Sequence, residues 1–281
     1  MFPPGYNGRM EVRPMKKAIY IVLIVILLIV FGVSAFMVGS YLIENKQQSD
    51  MYGDLAAIKE QAKATTPTKP EETFDPNKPM ETIPIHNEDG ILLEYAELYE
   101  MNNDMVGWIQ IEGSPIDYPV MQTSVDNKDF YLYRNFNKES VAAGSIYVRE
   151  ECDVNKPSDN ITIYGHNMRV GSMFAYLHNY IQKETWEENP MIFFDTIREY
   201  HTYKIFAVFK TTASVGEGFT YHKMEDAESE EEFNEFIATI KSLAFYDTGI
   251  TPVYGDKIIC LSTCEYTQEN GRLVVCAYRI S

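Results

Sequence analysis

The chain is 281 residues long, 45% hydrophobic and 23% charged, with a formal net charge of −17. Those proportions exclude a wholly disordered chain, and the acidic balance argues against a general nucleic-acid binder, whose phosphate contacts need clustered Lys and Arg. Four cysteines in a chain of this length exclude a disulfide-built scaffold.

Ala18 to Ile43 is a run of 26 residues without a formal charge, mostly Ile, Val, Leu and Phe. As a helix it would be about 39 Å long, enough to cross a hydrocarbon core of ~30 Å with some tilt. Arg9, Arg13, Lys16 and Lys17 precede it against the single acid Glu11. The positive-inside rule then keeps the N-terminus in the cytoplasm and sends the rest outside. The rival, a cleaved signal peptide, has an apolar region of only about 7–15 residues and a small-x-small site at its end. This run is longer and ends in no Ala-x-Ala, so the sequence predicts an uncleaved signal anchor. Residues 1–43 carry four basic residues and one acid, whereas the remainder carries 20 basic and 40 acidic residues. The acidity therefore belongs to the exported part.

Residues 44–63 are polar with some helical character (Leu55, Ala56, Ile58, Ala62), which predicts a juxtamembrane helix. Pro67, Pro70, Pro76, Pro79 and Pro84 then make residues 64–85 an extended stalk. The chain thus divides into a cytoplasmic tail (1–17), a transmembrane segment (18–43), a juxtamembrane helix with stalk (44–86) and one folded domain (87–281). Within the domain, Ile91, Leu92, Tyr95, Leu98 and Tyr99 recur at helical spacing and predict a helix over 89–103. Residues 107–111 and 116–121 read as strands about a Gly-Ser-Pro turn. Further strands are predicted at 144–148, 161–164, 203–210, 257–261 and 273–280, and a short helix at 173–181. Residues 230–245 carry the stripe Phe233, Phe236, Ile237, Ile240 and Leu243 behind a Ser229–Glu232 capping box. The sum is a mainly β domain, barrel or sandwich, with helices outside.

The cysteines lie at 152, 260, 264 and 276, with no C-x2-C pair and no compact His cluster, so a structural zinc site is not expected. Cys260 and Cys276 sit within apolar strands and read as small buried hydrophobes. Export permits a disulfide. Cys264 differs. It ends the strand that begins at Lys257 and precedes the polar loop Glu265–Gly271, whose Asn270-Gly271 is a turn signal. The chain resumes at Arg272, which makes a hairpin with Cys264 and Arg272 at its mouth. A thiol nucleophile needs a partner, because free Cys has a pKa of about 8.5. Among five histidines, His86 falls in the stalk, His178 on a helix, and His201 and His222 in polar loops or at a strand edge. His166 directly follows a predicted strand and Gly165, a placement like that of Cys264. Arg272 supplies a guanidinium for an oxyanion, whereas Arg279, an odd number of residues further, falls on the opposite strand face.

These residues resemble the sortases, cysteine transpeptidases of the Gram-positive cell surface. Leu261-Ser262-Thr263-Cys264 is similar to the family's Thr-Leu-x-Thr-Cys, with Cys260 where the family usually has its first Thr. Tyr164-Gly165-His166-Asn167-Met168 resembles the segment around the catalytic His, and Arg272 follows Cys264 at the spacing of the catalytic Arg. Tyr118–Thr123, Asp126-Asn127, Phe130-Tyr131-Leu132 and the late helix resemble class B in particular. The resemblance spans about 90–281. It implies a closed β-barrel of about eight strands, with Cys264, His166 and Arg272 catalytic and Ser262, Tyr164, Thr263 and Glu265 beside the substrate. It also implies cleavage of a C-terminal sorting signal through a thioester, then transfer to an amine of a peptidoglycan precursor or a pilin. No metal or cofactor is expected. The alternatives are a thiol peptidase that only hydrolyses, a non-catalytic extracellular binding module, and a pilin polymerase. The last is disfavoured because the chain has no hydrophobic C-terminal tail.

Overall fold

The structure, a computed structural model, describes residues 14–65, 85–214 and 216–281. The proline-rich stretch read as a stalk lies outside the described residues except at its ends. The chain forms two compact units, residues 1–47 and 48–281. Helix α1 (Pro14–Thr65) contributes to both. In the first unit it carries an unburied 18-residue window of mean hydropathy 3.2, long and apolar enough to cross a membrane by length and composition.

The second unit is built on eight strands: β1 (Met105–Gln110), β2 (Asp117–Met121), β3 (Ile146–Val148), β4 (Asn160–Tyr164), β5 (Met191–Thr196), β6 (Thr202–Thr212), β7 (Ile258–Glu265) and β8 (Gly271–Arg279). They close into a barrel in the order β1-β2-β3-β4-β7-β8-β6-β5, and β5 returns to β1. Most neighbours are antiparallel, but β2 and β3 run parallel, and so do β4 and β7, from Asn160↔Ile258 to Tyr164↔Ser262. Of the two alternatives open from the residues alone, the barrel is the one found.

Strand β7 explains its own apolar run. Ile259 and Leu261 belong to the main core, whereas Ile258 and Cys260 belong to a second cluster with Phe233, Phe236, Ile237 and Ile240. Both faces are covered, so the alternation expected of a one-sided strand is lost. The four residues from the second cluster lie on helix α4 (Glu230–Leu243), which packs on the outer face. Leu243, the fifth residue of the predicted stripe, is 40% exposed. Ser229 Oγ accepts from Glu232 N at 3.2 Å, but the Glu232 carboxylate accepts from Glu228 N at 2.7 Å, one residue before the cap. The capping box is therefore half formed.

Other elements differ from expectation in their bounds. Helix α2 is Leu93–Met101, shorter than 89–103, because Gly90 sits at φ +72° and Leu92 pairs with His86 in an isolated bridge. The segment 173–181 is a 3-10 helix over Ala175–Ile181, with Met173 at φ +58°. Strand β5 and helix α3 (Lys183–Glu188) had no counterpart in the sequence reading. His86, placed in the stalk, lies against the folded unit, its Nε2 2.7 Å from Arg198 O.

The polar helix after the apolar run also packs against the barrel. Gln48, Tyr52, Leu55 and Lys59 form one buried stripe at helical spacing. Tyr52 donates to Gly144 O at 3.1 Å and packs edge-on to Tyr118. Lys59 reaches Asp117 at 3.2 Å and lies over the Trp108 ring at 4.4 Å. That ion pair fills a site between α1 and β2 where a bare ammonium would lose its hydration. Leu55, 2% exposed, is the apolar centre of this contact. Leu55→Ala is expected to lower the stability of the barrel unit by about 2–4 kcal/mol, read as a reduced urea midpoint. An unchanged midpoint would mean that the helix is not part of the cooperative unit.

Candidate active site

Hairpin β7–β8 sets the first two groups. The ladder pairs Cys264 directly with Arg272 and ends at Glu265↔Gly271, so thiol and guanidinium share a face across adjacent strands. Gly271 is required there, because a Cβ would stand 2.4 Å from Glu265 O. Asn270 takes the left-handed conformation at φ +52° that closes the turn. The Arg272 guanidinium donates to Asn270 O at 3.3 Å and to Gly271 O at 3.0 Å, which fixes its arm. No cysteine is joined in a disulfide in the structure; Cys264 is partly exposed, whereas Cys152, Cys260 and Cys276 are buried.

The third group comes from β4. Gly165 N donates to Ser262 O at 3.1 Å and extends the parallel ladder past Tyr164↔Ser262. The same register continued for two residues would bring His166 level with Cys264, and both line one cleft. Gly165 is the only residue type that fits: a Cβ would meet Ile146 Cδ1 at 2.5 Å and the Phe174 ring at 2.7 Å. His166 Nε2 lies 2.8 Å from Leu132 O, and the ring packs on Tyr133 at 5.5 Å between centroids. A carbonyl oxygen can only accept, so Nε2 carries a proton and Nδ1 is the nitrogen left to exchange one. Asn167, whose role the sequence left open, donates to Cys264 O at 3.2 Å and ties the histidine segment to β7. It had no signal of its own beyond adjacency to His166.

His166, Cys264 and Arg272 line one cleft of about 440 Å³, together with Tyr164, Ser262 and Thr263. A larger cavity of about 710 Å³ contains Arg279 and His201 but no thiol, so chemistry favours the smaller one. Ser262 Oγ shares a 2.6 Å hydrogen bond with Tyr221, a cleft residue the sequence did not single out. Burial raises the pKa of both Tyr164 and Tyr221, so both phenols are neutral donors or acceptors. Thr263 borders the cleft, but its side chain alternates to the interior face beside Leu261 and Leu273. The cleft lining also carries charge. Asp129 accepts from Tyr147 at 3.0 Å, and Arg149 is held by Glu151, Glu225 and His222 O. Cys152 is no competitor as nucleophile: burial pushes its thiol up to about 12. Among the described residues no group of three or more His, Cys, Asp or Glu side chains is placed to hold a metal ion.

Glu265, expected beside the substrate, instead turns its buried carboxylate to Lys210 at 3.0 Å and to Thr267 Oγ1 at 2.6 Å. Burial alone would raise its pKa, but the hydrogen bonds from Thr267 and Lys210 outweigh burial and hold the carboxyl below its ordinary range. A folded pKa below the unfolded value of about 4.3 gives stability that is present above it and lost as pH falls through the folded pKa. Thermal melts should therefore show Tm dropping below about pH 4, with a shallower drop in Glu265→Gln. Identical slopes would remove Glu265 as the cause.

The sequence of residues 109–280 matches the Sortase domain family. Sortase B of Listeria monocytogenes is 33% identical over 256 residues, which cover 90% of this chain and 93% of that protein. The structure of a Staphylococcus aureus sortase B–substrate complex superposes with a TM-score of 0.70 at 25% identity, over 85% of this chain and 99% of that one. Sortase B of Bacillus anthracis in complex with AAEK1 gives 0.68 at 27% identity, over 85% and 99%. Thiol, imidazole and guanidinium converge in one cleft on a closed barrel of this kind, and the chain belongs to the sortase family, class B.

Proposed function

We propose that this cysteine transpeptidase works on the outer side of a membrane, held there by its N-terminal apolar helix. Arg9, Arg13, Lys16 and Lys17 favour retention of the preceding tail inside. Its substrate is then a secreted protein with a C-terminal sorting signal, and its second substrate is an amine of the cell wall precursor or of a pilin. The observation that carries this reading is the register pairing of Cys264 with Arg272, with His166 in the same cleft.

In the first step the Cys264 thiolate attacks a backbone carbonyl of the signal. The oxygen gains negative charge, which Arg272 stabilises through hydrogen bonds it cannot lose by deprotonation. His166, protonated at Nδ1, gives that proton to the leaving amine, and a thioester remains on Sγ. In the second step the acceptor amine attacks the thioester, its proton passes back to Nδ1, and an amide forms as the thiolate leaves. Ser262 and Tyr164, on the cleft face of their strands, contact the peptide. Thr263 and Glu265 act at one remove, by packing beneath the nucleophile and by holding the loop after it.

The test uses the full chain in detergent with quenched sorting-signal peptides and hydroxylamine as acceptor. A peptide hydroxamate formed in proportion to hydroxylamine supports transfer. Cleavage at a rate and product composition indifferent to added amines would favour the hydrolytic peptidase, and no cleavage of any signal peptide would favour the binding module.

A further inference from the structure

We propose that Cys260 and Cys276 form a disulfide in the exported enzyme, a staple across the hairpin that carries Cys264 and Arg272. The proposal rests on the outward topology argued above, since disulfides persist on the oxidising side of a membrane.

The two cysteines are direct cross-strand partners in the β7–β8 ladder, with Sγ atoms 3.1 Å apart. Opposed residues of antiparallel strands have Cα atoms about 4.5–5.5 Å apart, inside the window of about 4.4–6.8 Å that a disulfide spans. Closing the sulfurs by roughly 1 Å completes the bond. Both side chains are fully buried, in one cluster with Phe233 and Ile240 of α4, and each has the other as hydrogen-bond partner. Cys152 is engaged elsewhere, its thiol donating to Asn160 O at 3.6 Å. The residue that Cys260 faces is again Cys. With four cysteines in 281 residues, such a pairing is uncommon by chance.

Alternation places Cys260, Ser262 and Cys264 on one face, so the same hairpin holds both the pair and the nucleophile. Cys264 faces Arg272 and has no thiol opposite it, which keeps the nucleophile free. The oxidation removes two protons and two electrons from the two thiols. An extracytoplasmic dithiol–disulfide oxidant accepts them: its S–S bond breaks, the Sγ–Sγ bond forms, and it leaves as a dithiol. Because the thiols are buried in the finished fold, exchange takes place while β8 is still docking beneath α4.

The experiment assigns each cysteine by mass. Cells carrying the full chain are treated with a membrane-impermeant maleimide, which reports whether Cys264 faces outward. A parallel sample is acid-quenched, denatured, alkylated with one reagent, reduced and alkylated with a second. Cys152 and Cys264 should take the first reagent, and Cys260 and Cys276 only the second. If Cys264 is reached from outside and Cys260 and Cys276 take the first reagent, the staple is overturned while the enzyme reading stands. Purified full chain refolded in a glutathione redox buffer should form the same cross-link. Its absence there overturns the proposal whichever side of the membrane holds the domain. Reductant should lower the Tm of the oxidised chain by roughly 5–10 °C. Cys260→Val/Cys276→Val should show no reductant-dependent shift. Peptide cleavage is scored separately, so its loss in a correctly cross-linked chain would count against the activity and not the disulfide.

Discussion

Cys264→Ala is expected to reduce peptide cleavage to the uncatalysed background, a loss of roughly 10⁴-fold or more. The size follows from the route. Without Sγ no thioester forms, and neither His166 nor Arg272 supplies a nucleophile in its place. The three other cysteines are buried, and Cys152 is further held protonated by burial, so none substitutes. The variant should still bind the signal peptide with near-normal affinity, because the cleft walls at Ser262 and Tyr164 are untouched. Rapid-quench kinetics with hydroxylamine provides the measurement. Hydroxamate production that persists in Cys264→Ala would sink the mechanism.

Arg272→Ala should lower kcat by about 10²–10³-fold with little change in KM, the cost typical of one lost oxyanion donor. The ground-state carbonyl is neutral and gains little from a guanidinium, so the loss falls on the transition state. Arg272→Lys should recover only part, since an ammonium offers a point charge where the guanidinium offers a fixed fork. The backbone of the hairpin should survive either change, because the turn is set by Asn270 and Gly271. Steady-state kinetics alongside a melt separates the two effects. A large KM rise with unchanged kcat would recast Arg272 as a substrate-binding residue.

Most of the barrel was legible because its strands are apolar, bounded by turn residues and close to one another in register. Strand β5 was not, since Met191–Thr196 is interrupted by Asp195 and its exposure alternates; its strand character comes from pairing with β1 and β6. The docking of residues 48–65 was hidden for a related reason. Its stripe is Gln48, Tyr52, Leu55 and Lys59, in which only Leu55 is plainly apolar, and Lys59 is satisfied by Asp117 and Trp108 from β2 and β1. No periodicity of one segment reports a partner supplied by another. Cys264, His166 and Arg272, singled out because each ends, follows or precedes a predicted strand, line one cleft. The direction of the Glu265 side chain was not legible, because the path of a side chain at a strand end depends on its ion-pair partner, here Lys210.

The parallel pairing of β4 with β7 separates the geometry of catalysis from the length of chain between its parts. Asn167 and Cys264 are 97 positions apart, yet their approach is dictated by five ladder pairs. The ladder pairs, and not the number of intervening residues, bring these atoms together, although β5, β6 and Tyr221 within that interval remain part of the barrel and the cleft. The exposed turn at 253–255, ahead of β7, is where a protein engineer has room to insert a tag.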